Sequence, residues 1–140
     1  MDNEILELYE QVKDKLTIEE FQAKINDISK EHKTVILDCV TLLVNNLMFT
    51  YEIDIDNSTQ DEINELEKYI KEQVEKLLIE IKKTNLYFVI VTNELGLGGV
   101  SINKLTRIYT DIIGRINQQI ATHSDEVYFV VSGIPMKIKG

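Results

Sequence analysis

The first 95 residues of this 140-residue chain contain no glycine. A phosphate-cradling Walker A loop needs glycines where the backbone must approach its ligand closely, so that stretch holds none. Cysteine occurs once, at Cys39, which excludes an intrachain disulfide and fits a reducing, cytoplasmic setting. The two histidines, His32 and His123, stand far from each other and from Cys39, without the spacing of a zinc site. No G-x-S-x-G is present to carry a serine nucleophile. No apolar run approaches membrane-spanning length, and the acidic, helical start does not read as a signal peptide. Basic residues are also scarce, with 15 Lys and Arg against 24 Asp and Glu, a formal charge of −9. Binding along nucleic-acid phosphates rests on clustered cations, so that role is not expected. A single nucleotide needs only a local site and stays compatible with the charge.

What is present suits one α/β domain: 44% of residues are hydrophobic, with no low-complexity tract and no internal repeat. The chain divides into a helical N-terminal part, residues 1–33, and an α/β core, residues 34–140. The core is organised around residues 86–121. Leu86 to Thr92 is apolar without period-two alternation, as expected of a strand buried on both faces. Gly96, Gly98 and Gly99 then allow a turn where a Cβ would clash. From Asn103 the positions Leu105, Ile108, Tyr109, Ile112, Ile113, Ile116 and Ile120 recur at helical spacing. A buried strand, a glycine loop and a helix in that order are where α/β proteins place ligands; a plain tight turn is the equally simple alternative.

Upstream, Ile5, Leu8, Tyr9, Val12 and Leu16 form one helical stripe. Thr17 and Glu20 have capping-box spacing ahead of Phe21, Ile25 and Ile28, a short second helix. Thr34 to Cys39 reads as a buried strand ending on Asp38. A carboxylate there stands where Mg²⁺ and phosphates gather in nucleotide-binding folds, although Asp also commonly ends strands. Val40 to Met48 is the helix that follows. Tyr51 to Asn57 is an acidic loop. Ser58 and Thr59 sit at capping spacing from Asp61 and Glu62, and a long helix runs to about Lys83. Glu126 to Ser132 gives a further apolar strand, VYFVVS. Gly133 and Pro135, the only proline, break it from a short edge strand, Met136 to Lys139. Strand alternating with helix implies right-handed crossovers and a mainly parallel sheet.

Four strings in this order resemble the bifunctional adenosylcobinamide kinase / adenosylcobinamide-phosphate guanylyltransferase family of cobalamin biosynthesis. They are ILDCVTLLVNNLM (36–48), VTNELGLGGV (91–100), NKLTRIYTDIIGRINQQIA (103–121) and DEVYFVVSGIPMKIK (125–139). Asp38, Cys39, Thr41, Asn46, Asn93, Glu94, Gly96, Gly98, Arg107, Asp111, Gly114, Asn117, Gln118 and Gly133 match the family pattern. Leu43 stands where the family usually has Trp, and Ser101 where a Pro often opens the helix. The resemblance implies a P-loop-NTPase-like (RecA-like) α/β fold with a mainly parallel sheet, and a chain truncated at its N-terminus. It implies ATP- or GTP-dependent phosphorylation of adenosylcobinamide followed by GMP transfer, with Mg²⁺ as cofactor. It places nucleotide near Lys13, Glu19, Leu37, Glu94, Gly96 and Gly98, and Mg²⁺ at Asp38 through the phosphates. The family's GMP-accepting histidine falls on Gln11 or Val12, neither of which has a nucleophilic ring nitrogen. Of the remaining matches, Arg107 and Asp111, four apart on a helix, are expected to pair as a brace. Gly114 is expected to permit close helix packing, and Asn117 and Gln118 to bond loop backbone.

In P-loop folds the strand before the glycine loop lies inside the sheet. Without it, strands 34–39 and 86–92 either lose a neighbour or are forced together, and buried unpaired backbone groups cost about 1–3 kcal/mol each. A shortened chain, a strand supplied by a partner, and a sheet that closes up are the three solutions. An open apolar edge also favours homo-oligomers. Two roles follow. One is an enzyme of the family acting on guanine nucleotide and a corrinoid precursor, incomplete or inactive as an isolated chain. The other is a non-catalytic scaffold or oligomeric interaction domain.

Overall fold

The computed structural model describes residues 23–27, 30 and 33–140. In chain order the elements are β1 (Thr34–Asp38), α1 (Val40–Thr50), α2 (Gln60–Lys82), β2 (Tyr87–Val91), a 3-10 turn (Gly96–Gly98), α3 (Lys104–His123), β3 (Val127–Val131) and β4 (Ile134–Lys139). The helix expected from Ile5 to Leu16 and the Thr17 cap lie outside the described residues. Residues 23–27 are helical, and Ile25 is buried against Leu37 and Leu77.

The three helices form one layer. Val40 and Val44 of α1, Leu66, Ile70 and Val74 of α2, and Ile112, Ile113 and Ile116 of α3 are fully buried in a common cluster. Burying a side chain of this size contributes about 1.5–3 kcal/mol, so this cluster sets the architecture. α2 starts as its sequence dictates. Thr59 Oγ1 accepts from Glu62 N at 3.3 Å, and Glu62 Oε2 accepts from Thr59 N at 2.7 Å, a complete capping box. α3 starts at Asn103, whose Oδ1 accepts from Thr106 N at 3.0 Å.

β1 and β2 pair directly and in parallel, from Thr34 beside Tyr87 to Asp38 beside Val91. Of the three expected solutions, the two strands meet with nothing between them. Two expectations are corrected here. First, neither strand is buried on both faces. Val35 and Leu37 are buried, and Phe88 and Ile90 are half-buried against the helices. Ile36, Tyr87, Val89 and Val91 are exposed on the other side, because among the described residues the helices cover one face only. Apolarity on both faces of a strand reports what it can bury, not what covers it here. Second, β3 does not extend the parallel sheet. It pairs with β4 as a separate antiparallel hairpin, so the described sheet structure is half parallel and half antiparallel.

The hairpin's turn is legible in detail. Ser132 and Gly133 have φ of 51° and 75°, the paired left-handed conformations of a type I′ turn that matches strand twist. The final strand starts at Ile134, earlier than the expected Met136, and Pro135 lies within it opposite Val130.

Candidate functional site

The carboxyl ends of β1 and β2 are tied together by polar side chains. β1 ends at Asp38, and Cys39, in extended conformation, caps α1. Thr41, one residue into that helix, is buried and is a junction. Its Oγ1 accepts from Asn93 Nδ2 at 3.2 Å and lies 2.8 Å from Cys39 Sγ. Its carbonyl accepts from Tyr109 Oη on α3 at 2.9 Å. Burial raises the Tyr109 phenol above its ordinary range, with the neighbouring Cys39 adding to the shift, so the hydroxyl stays a donor. α3 holds the chain beyond β2 a second time. Thr92 Oγ1 donates to Asn117 Oδ1 at 2.6 Å, and Asn117 Nδ2 donates to Asn93 O at 3.0 Å. The expectation that Asn117 bonds loop backbone is met. The side chain of its neighbour Gln118 stays exposed.

Asp38 and Glu94 therefore stand at the same end of the parallel pair. Asp38 is exposed on the sheet face turned away from the helices. Glu94 is exposed just beyond β2, and its Oε1 accepts from Gly96 N at 3.1 Å, bending the chain into the 3-10 turn. Gly99 follows with φ of +85°, a conformation that side chains disfavour. Gly98 has open space around it, so a Cβ there would not clash. Leu97 within the turn is largely exposed, and Val100 and Ile102 beyond it are almost wholly so.

Both basic side chains at the start of α3 are engaged elsewhere. Lys104 Nζ donates to Ser58 O at 3.0 Å and Asp56 O at 3.4 Å. Arg107 Nη1 donates to Ser101 O at 3.0 Å and Ile102 O at 2.7 Å. The expected Arg107–Asp111 brace is thus corrected. A guanidinium that can satisfy two carbonyls of the preceding loop does so in place of an exposed ion pair of small value. Gly114 is corrected too. A Cβ added there meets nothing within 4 Å among the described residues, so Gly114 does not serve close packing between the described helices.

Of the other residues expected around a nucleotide, Gln11, Val12, Lys13 and Glu19 lie outside the described residues. Leu37 is buried in the helix-facing core with Ile25 and Leu77, which leaves only its backbone for a ligand. Among the described residues no group of three or more His, Cys, Asp and Glu could hold a metal ion. Two exposed carboxylates still suit Mg²⁺, which is commonly held by one or two carboxylates together with phosphate oxygens and water.

A polar cluster between α2 and α3 is not among the sequence expectations. Gln119 Nε2 donates to Glu75 Oε2 at 2.9 Å and Lys71 O at 3.1 Å. His123 contacts Glu75 Oε1 at 3.1 Å through Nε2, and Gln119 O at 2.9 Å through Nδ1. A shallow cleft of about 420 Å³ along α2 is lined by Asn64, Glu67, Lys71, Glu75 and Gln119. It is open, carries mixed charge and lies on the helical flank, away from the strand ends; the carboxyl edge is the better candidate on chemistry. Helical spacing on α2 and α3 was the only signal that could have joined these residues.

Comparison with known proteins agrees with the family resemblance. The model of the cobinamide kinase / cobinamide phosphate guanyltransferase family matches residues 8–138. The chain is 41% identical over 108 residues to the bifunctional adenosylcobalamin biosynthesis protein CobU of Escherichia coli, covering 77% of this chain and 59% of that protein. It is 39% identical to CobU of Salmonella typhimurium, over 75% of this chain and 58% of the relative. It is 30% identical to the bifunctional protein CobP of Pseudomonas aeruginosa, over 84% of this chain and 60% of the relative. The chain thus spans about three fifths of the length of the curated relatives it matches. A match across nearly all of its residues makes this chain a member of the cobinamide kinase / cobinamide phosphate guanyltransferase family.

Proposed function

We propose that this chain is the nucleotide-facing core of an adenosylcobinamide kinase / adenosylcobinamide-phosphate guanylyltransferase of P-loop-like fold. In this reading it receives GTP or ATP with Mg²⁺ at the carboxyl ends of β1 and β2. The observation that carries the reading is the Asn93–Thr41 bond, which fixes the residue before Glu94 to the helix that starts after Asp38. Two carboxylates are thereby kept at one sheet edge, where open α/β folds bind ligands. The engagement of Lys104 and Arg107 with backbone carbonyls leaves phosphate charge to be met from elsewhere, and a divalent ion on Asp38 meets it. The corrinoid precursor would approach from the exposed apolar loop of Leu97, Val100 and Ile102.

Catalysis is a further step, and this sequence alone does not support it. No glycine precedes Gly96, so residues 1–95 contain no phosphate cradle of the Walker A kind. Its first histidine is His32, and Gln11 and Val12 cannot accept GMP. The isolated chain should bind nucleotide weakly and turn over neither reaction. Isothermal titration with GTP and Mg²⁺ tests this. Saturable heat in the millimolar range supports the nucleotide site, and no heat at millimolar nucleotide opposes it.

A scaffold role is the second reading, favoured by the exposed apolar faces of β2 and of the hairpin. It predicts oligomers by light scattering, with no nucleotide heat.

A further inference from the structure

The last turn of α3 carries a ring whose contacts call for a proton. His123, the final residue of the helix, lies with Nδ1 2.9 Å from Gln119 O and with Nε2 3.1 Å from Glu75 Oε1 on α2. A carbonyl oxygen has no hydrogen to give, and neither has an ionised carboxylate. Both ring nitrogens must then donate, and only the imidazolium carries two N–H groups.

The surroundings assign that proton to the ring rather than to the acid. Glu75 Oε2 accepts from Gln119 Nε2 at 2.9 Å, and the same Nε2 donates to Lys71 O at 3.1 Å. Turning the amide over would set its oxygen against both acceptors. The amide keeps its orientation although its own Oε1 is buried without a partner among the described residues, which is costly. Glu75 is therefore a carboxylate that accepts on both oxygens. The hydrogen bond from Gln119 is the main cause that holds its carboxyl below the ordinary range, with the charge and hydrogen bond of His123 adding to it against burial. The aligned peptides of α3 also make its C-terminus negative, which favours a cation there.

The other charges around this turn are engaged or exposed. Lys71 turns its ammonium toward Glu67 at 3.9 Å. Lys139 of β4 donates to Ala121 O at 2.8 Å and Thr122 O at 3.1 Å. Asp125, just past the helix, is exposed, and Glu72 lines the cleft beside Glu75, adding negative charge on that side.

We propose that His123 and Glu75 form a proton-operated latch between α3 and α2, complete when the ring is protonated and short of one hydrogen bond when it is neutral. A neutral ring keeps one N–H. If that hydrogen stays on Gln119 O, the bare Nε2 faces the carboxylate. If it stays on Glu75, the bare Nδ1 faces the carbonyl. Either way two lone pairs confront each other. A proton that the folded chain holds and the unfolded chain releases stabilises the fold at low pH, and the gain is lost as pH rises. The latch thus holds in acid and loosens through the ordinary imidazole range, about pH 5 to 8. α3 also carries Tyr109 and Asn117, whose bonds hold the strand ends, so the latch secures the helix on which the candidate site depends. It involves no nucleotide and stands or falls independently of the nucleotide reading.

Thermal melts of the full chain without nucleotide test it, at about pH 5.5 and about pH 8.5, on either side of most of the imidazole range. Glu75 is ionised at both, because its carboxyl lies below the ordinary range. His123→Gln should melt about 2–4 °C below the parent chain at the lower pH, and less than half as far below it at the higher. In a Glu75→Gln background the same substitution should show no such pH dependence. The ring protons give a readout in the unsubstituted chain, which serves if a variant does not fold. Proton NMR in acid should show two slowly exchanging ring N–H signals that are absent from His123→Gln, and only one at the higher pH. A melting gap equal at both pH values, a gap wider at the higher pH, or a pH dependence that survives Glu75→Gln would overturn the proposal. Fewer than two ring N–H signals in acid would overturn it as well.

Discussion

Asn93 and Thr41, 52 residues apart in sequence, share a hydrogen bond of 3.2 Å between Nδ2 and Oγ1. Because Asn93 follows β2 and Thr41 opens α1, that bond fastens two strand ends into one edge. Asn93→Ala removes it and leaves Thr41, which is buried, with one partner fewer. Chemical denaturation should show a loss of about 0.5–1.5 kcal/mol. GTP affinity should fall with it, since Glu94 is no longer held in place. Unchanged stability and unchanged affinity would together remove this bond from the account.

Asn117 reaches the same segment from α3, through Thr92 Oγ1 and Asn93 O. A double-mutant cycle of Thr92→Val and Asn117→Ala should give a coupling of about 0.5–1 kcal/mol, read from denaturation midpoints. Strict additivity would mean the side-chain pair contributes nothing.

Gly114 sits within α3 with open space where a Cβ would be. Gly114→Ala should therefore stabilise the chain by about 0.5–1 kcal/mol, because glycine loses more backbone entropy in a helix than alanine does. Destabilisation in a thermal melt would show that something beyond the described residues packs there.

Glu75 gives a pH signature. The hydrogen bond from Gln119 is the main cause that lowers its pKa below 4.5; burial opposes the shift and the charge of His123 adds to it. A folded-state pKa below the unfolded one contributes stability above the unfolded value, lost as pH falls through the folded value. Glu75→Gln should thus lower the melting temperature near neutral pH, and the gap should close between about pH 5 and pH 3. A gap that persists at low pH would assign the effect to packing.

Much of this architecture was legible from local signals. The Thr59–Glu62 cap and the Asn103 start of α3 are chemistry of neighbouring residues, and spacing reveals them; the break at Gly133 was legible too, although Ser132 belongs to the turn and not to the strand. The resemblance identified Asp38, Thr41, Asn93, Glu94 and Asn117, all of which the fold brings to one end of β1 and β2. What spacing could not show was partner choice between distant segments. Arg107 and Asp111 have the spacing of an ion pair, but two carbonyls of the preceding loop are better partners for the guanidinium. VYFVV reads equally well as a parallel or an antiparallel strand, and its pairing with β4 follows from the tight turn. The Glu75–Gln119–His123 cluster depends on how α2 and α3 face each other, which no local pattern encodes.

The central claim is that nucleotide phosphates meet this chain at the carboxyl ends of β1 and β2. Backbone amide shifts of the ¹⁵N-labelled chain, followed by NMR during titration with GTP and Mg²⁺, test it most directly. The account predicts progressive shifts at residues 38–41 and 93–99, much weaker in Asp38→Asn. Shifts confined to the cleft around Lys71 and Glu75, or none at millimolar GTP, would contradict it.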